Sequence, residues 1–185
     1  ATVARSVSSL LVFSIFIFGM GTLPIILVLL KAKEVGLPPG DLPLMYFIYS
    51  LTFVFAAIPL GVLADRIGER FVIAGGFFAA MVAYFGLAFS AHAGMVISFF
   101  IVLGLYAAAT DGLQRMLAAK SLDANILATG QGFLNMAVGI SSLVAGVVGG
   151  LLWTYAGSGL AFLYAATFSV IGLFFFLLTT RPSRP

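Results

Sequence analysis

The sequence predicts an all-α membrane protein, with six transmembrane helices arranged as an inverted 3+3 repeat. Three observations predict it. Of 185 residues, 62% are hydrophobic and only 8% charged, whereas a soluble domain carries about 25% charged residues to meet water. The apolar residues fall into six continuous runs, each near the ~20 residues a helix needs to cross about 30 Å of hydrocarbon. A glycine–leucine pattern, Gly61-x-Leu63-x-x-x-x-Gly68, returns as Gly150-x-Leu152-x-x-x-x-Gly157. Each copy ends the second helix of a three-helix unit, and three crossings turn the copies to opposite faces.

The first run covers residues 7–30. It is too long for a signal-peptide core, and no small-residue cleavage site follows it. Gly19, Gly21, Thr22 and Pro24 inside it form a combination that kinks a helix. Residues 31–41 form a connection with two lysines, two glycines and the stop Pro38-Pro39-Gly40, and Asp41 is placed to cap the next helix. The second run is 42–63. A charged turn at 65–70 leads to the third, 71–91. A break at 91–93 around His92 leads to the fourth, 94–117. The fifth run, 126–154, and the sixth, 159–179, are joined by Gly157-Ser158-Gly159. These three short connections predict antiparallel neighbours. None of the runs alternates as a barrel strand would.

Basic residues assign the sides. Arg5, Arg66, Arg70, Arg115, Lys120, Arg181 and Arg184 share one side of a six-span topology, and only Lys31 and Lys33 fall on the other. This bias places both termini in the cytoplasm. With a net charge of +3 and its cations scattered over loops, the chain offers no basic face for nucleic acid. Cysteine is absent, so disulfides and thiolate chemistry are excluded.

On the fifth helix Ala128, Gly132, Asn135, Gly139, Ser142, Gly146 and Gly149 share one face. Small residues at that spacing serve close helix packing. Asn135, with Gln131 one turn earlier, fits either a polar packing contact or a central cavity, because a mid-membrane amide needs a partner or water. Asp111 and Arg115 are four residues apart on the fourth helix and can pair with each other. Trp153 and Tyr155 read as an interfacial aromatic belt.

The loop Gly61-Val62-Leu63-Ala64-Asp65-Arg66-Ile67-Gly68-Glu69-Arg70 resembles the Gly-x-Leu-x-Asp-Arg-x-Gly-Arg-Arg signature of the major facilitator superfamily. Glu69 departs from it, standing where the family carries a basic residue. Residues 106–120, with Thr110-Asp111-Gly112-Leu113-Gln114-Arg115, look like the fourth helix of the C-terminal half in many bacterial members, and 146–157 adds a weaker likeness. Leu127 and Ala128 stand where the family often has Arg-Gly.

The resemblance implies half of a major facilitator fold: one six-helix domain over 1–185, with repeat units of about 7–91 and 94–180, excised from or lacking a second half. It implies secondary active transport of a small-molecule substrate by alternating access. It also implies a partner half, from the same parent chain or a homodimer mate, in a bacterial cytoplasmic membrane. Gly61, Leu63, Asp65, Arg66, Gly68 and Arg70 would form a gating motif, with Arg66 or Arg70 latched to Asp111. Cavity-lining candidates are Tyr46, Tyr49, Ser50, Gln131 and Asn135. The rival is a non-transporting scaffold or receptor that kept the fold.

No enzyme is expected. The single histidine lies in a hairpin away from any mid-membrane serine. Metal-ligand spacing is missing, and Gly19-x-Gly21 lacks the third glycine of a dinucleotide site. No cofactor is therefore assigned. A channel would need a filter-like loop or a ring of charge.

Overall fold

The computed structural model describes residues 2–120 and 127–179, with side chains for 11–117, 120 and 128–178. Arg181 and Arg184, two of the cations used to assign the sides, lie outside the described residues. Among the described residues seven α-helices follow in order: α1 Thr2–Gly21, α2 Ile25–Glu34, α3 Leu42–Ile67, α4 Glu69–Ala88, α5 Ala93–Lys120, α6 Leu127–Ala156 and α7 Ser158–Thr179. No strand occurs among the described residues. Six stretches of the described residues are long and apolar enough to cross a membrane, the first made of α1 and α2 together.

The break in that first span follows from Pro24. Residues 22–24 are not helical, because proline has no N–H and its ring crowds the preceding turn. Three carbonyls at the break are met by other groups. Thr22 turns its N–H back to the Gly19 carbonyl at 3.0 Å, and its hydroxyl donates to the Phe18 carbonyl at 3.3 Å. The Met20 carbonyl would meet the N–H of residue 24 in a continuous helix; it accepts instead from the Tyr164 phenol on α7, at 2.8 Å. The expected kink at Gly19, Gly21 and Pro24 is therefore a full interruption, restored by hydroxyls.

Several boundaries differ from the sequence reading. α2 runs on to Glu34, so Lys31 belongs to the span and is buried instead of lying in a loop. A 3₁₀ turn, Pro39–Asp41, precedes α3, and Asp41 makes no side-chain capping bond. α4 stops at Ala88, widening the break before α5. Only Gly157 separates α6 from α7.

The helices pack as two interlocked triplets. α4 lies against α5 and α7, α1 against α7 and α6, and α3 against α5 and α4. Exchanging first span with fourth (α5), second (α3) with fifth (α6) and third (α4) with sixth (α7) maps these neighbours onto one another, as an inverted 3+3 repeat requires. Both copies of the glycine pattern end alike. Gly68 and Gly157 hold φ of 96° and 90°, a region closed to most side chains. Each closes its preceding helix by an N–H bond four residues back, to Ala64 at 2.9 Å and to Trp153 at 3.2 Å.

Aromatic and small side chains fill the centre. Phe18 stacks on Phe77 with centroids 3.7 Å apart, and Phe77 meets Phe176 at 5.3 Å. Glycines let the backbones approach. A Cβ on Gly172 would lie 2.8 Å from the Phe18 Cα, and one on Gly104 would lie 2.8 Å from the Tyr49 carbonyl oxygen.

Candidate functional site

The α3–α4 turn carries the loop motif, and Gly68 gives it its shape. Ala64 and Val72 anchor the turn by packing with Ala109 of α5. Asp65 and Arg66 face outward and are exposed. Glu69, the first residue of α4, accepts a 2.7 Å charged hydrogen bond from Lys120 at the end of α5.

The latch expected between Arg66 or Arg70 and Asp111 is not formed here. Among the described residues the ion pairs are Lys120–Glu69 and Lys31–Glu34. Asp111 lies nine residues before Lys120, ~14 Å along α5 at 1.5 Å per residue, so the two side chains sit at different depths. Asp111 lies only ~7 Å from the helix midpoint, not close to its end. Lys120 is the cation at the level of the turn, and Glu69 is the carboxylate that meets it. Arg115 also forms no ion pair with Asp111; its backbone carbonyl accepts a 2.9 Å bond from the Gln131 side chain.

Gln131 therefore ties α6 to α5. Tyr46 and Tyr49 sit together on α3 with ring centroids 6.1 Å apart, and Ser50 beside them is half-buried. Asn135 is exposed. Across the α1–α2 break, the Thr22 and Tyr106 hydroxyls lie 3.4 Å apart, joining the first span to the fourth. The small-residue face of α6 divides in two. Gly146 and Gly149 meet Pro24 and Leu23 at the break, while a Cβ on Gly132 or Gly139 would find nothing within 4 Å. Trp153 packs edge-on to Phe162 at 5.8 Å, while Tyr155 is exposed.

Sequence reasoning missed one polar cluster. Lys31, 5% exposed, donates to Ser158 at 3.1 Å and to Glu34 at 3.2 Å, and Ser158 donates to Glu34 at 2.9 Å. The available signal was the Lys31–Glu34 spacing of three, which aligns opposite charges on one helical face. Nothing local pointed to Ser158, 127 positions away. No group of three metal-ligating side chains occurs among the described residues.

The uncovered surfaces are as informative as the polar clusters. In the apolar core of each span, 6% of residues are buried for α3 and 22% for α6, against 39–44% for the other four. An apolar groove of about 550 Å³ runs between α3 and α5, past Leu51, Phe55, Pro59 and Ile101. The least covered helices are thus the second and fifth spans, which the repeat makes equivalent.

Comparison with known proteins agrees with this architecture. The family model described as Major Facilitator Superfamily matches residues 9–185. An uncharacterized MFS-type transporter from Methanocaldococcus jannaschii is 28% identical over 127 residues, covering 69% of this chain and 32% of that relative. The match spans about a third of the relative's length.

Proposed function

Because the chain belongs to the major facilitator superfamily, we propose that it forms one six-helix half of a secondary active transporter, moving a small solute by alternating access. The observation that carries this reading is the pair of open faces on α3 and α6. A second half, from the same parent chain or from a homodimer mate, would cover them and leave a substrate site near the midplane between the halves. The repeat units of about 7–91 and 94–180 form one domain in this reading, with both termini cytoplasmic in a bacterial inner membrane.

The site residues take these roles. Gly61, Leu63, Asp65, Arg66, Gly68 and Arg70 form the gating turn, with exposed Asp65 free to meet the opposite half. Tyr46, Tyr49, Ser50 and Asn135 line the partner-facing side. Gln131 belongs to that side, although its amide is engaged on α5. Asp111 is an intramembrane carboxylate, a costly group that usually marks a functional path.

The test is solute flux in proteoliposomes holding the full-length parent protein. Uptake driven by an ion gradient and lost in Asp65→Asn supports the carrier. Absence of flux under every gradient tried, with the fold intact, favours a scaffold or receptor.

A further inference from the structure

We infer that Lys31 and Lys120 are equivalent latches, one at each end of the bundle, that bind the two repeat units to each other. The inference concerns how the half is held together and does not depend on transport.

It rests on a register. Gly150, Leu152 and Gly157 lie 89 positions after Gly61, Leu63 and Gly68, and Lys120 lies the same 89 positions after Lys31. The contacts obey that register too. Lys120, ending the first helix of the second unit, reaches Glu69, the residue after the positive-φ glycine of the first unit. Lys31, in the last turn of the first span, reaches Ser158, the residue after the positive-φ glycine of the second unit. Glu69 and Ser158 are themselves 89 apart. Each lysine therefore crosses from its own unit to the start of the other unit's third helix. One closes the α5–α4 seam and the other the α2–α7 seam, at opposite ends.

The two differ in how the carboxylate is supplied. At the Lys120 end it stands on the third helix, as Glu69. At the Lys31 end that position is Ser158, and Glu34 on α2 provides the charge, so the bond becomes a three-membered network. They also differ in which partner is exposed: Lys31 is 7% and Glu34 47% exposed, whereas Lys120 is 58% and Glu69 19%. Salt screens exposed charges more than buried ones, so the ammonium of Lys120 is more open to ionic strength than that of Lys31.

Amide hydrogen exchange on the intact protein in lipid nanodiscs tests this. Lys120→Met is expected to speed exchange several-fold at the start of α4 and the end of α5 and to leave the other end unchanged. Raised salt should mimic it. Lys31→Met should speed exchange several-fold at the start of α7 and the end of α2 only. Glu34→Gln should do the same, and Ser158→Glu in that background should restore protection by placing the carboxylate where the register puts Glu69. Uniform loosening of both ends, no change at α7 in Lys31→Met, or no rescue by Ser158→Glu would each overturn the assignment.

Discussion

The phenol of Tyr164 donates to the main-chain carbonyl of Met20 at 2.8 Å, in the place where Pro24 has no N–H to offer. A side chain of the sixth span thus completes the backbone bonding of the first. Unpaired carbonyls away from water are costly, so this hydroxyl, with Thr22, helps make the proline break tolerable.

Tyr164→Phe keeps the ring and removes the donor. It is expected to cost about 1 kcal/mol, the lower end of the penalty for leaving a part-buried acceptor unsatisfied, seen as a lower unfolding midpoint in detergent. Pro24→Ala restores an N–H at residue 24. In that background Tyr164→Phe should cost less than ~0.5 kcal/mol, the limit for uncoupled sites. Equal losses in both backgrounds would show that the phenol does not serve the break.

The glycine pattern should separate under mutation by backbone geometry. Gly68→Ala and Gly157→Ala force an L side chain to φ near 90° and should each cost about 1–3 kcal/mol. Gly61→Ala and Gly150→Ala add a methyl with nothing within 4 Å, and should stay within about 0.5 kcal/mol of the parent. Thermal unfolding of the four variants decides whether the terminal glycine of each copy is the structural one.

Gly104→Ala tests the α3–α5 crossing. The new methyl would meet the Tyr49 carbonyl and the Thr52 Cβ, both at 2.8 Å. Backbone cannot rotate away as a side-chain tip can, so overpacking of about 1–3 kcal/mol is expected. Gly139→Ala, with open space around it, is the control and should be neutral in the same melt.

A chain free of cysteine gives a clean test of sidedness. Lys33 and Arg66 are both exposed, at opposite ends of the bundle. Lys33→Cys and Arg66→Cys should react with a membrane-impermeant maleimide from opposite sides of sealed vesicles, Arg66→Cys from the cytoplasmic side. Labelling of both from one side would refute the six-span topology.

The spans were legible because lipid crossing imposes length and apolarity on any sequence. The turn glycines were legible as a repeated pattern, and Pro24 as a kink, though not as the full interruption it makes. What resisted reading was tertiary. Lys31 looked like a loop cation, since its burial depends on Ser158 and on α7 covering it. Asp111 looks like the partner of the loop arginines, yet the ion pair formed at the turn is Lys120–Glu69. The stripe on α6 looks uniform, yet of its four glycines only Gly146 and Gly149 face a neighbour, at Pro24 and Leu23. Periodicity places residues on a face but does not say what lies opposite.

Pro24 has a further consequence under the 89-residue register, where its counterpart is Leu113. α5 is accordingly an unbroken rod of 28 residues, while the span that mirrors it is jointed into pieces of 20 and 10. The duplicated architecture is therefore mechanically lopsided. It has a joint at Pro24 in one arm where the mirrored arm runs on unbroken, so these two equivalent spans cannot bend alike.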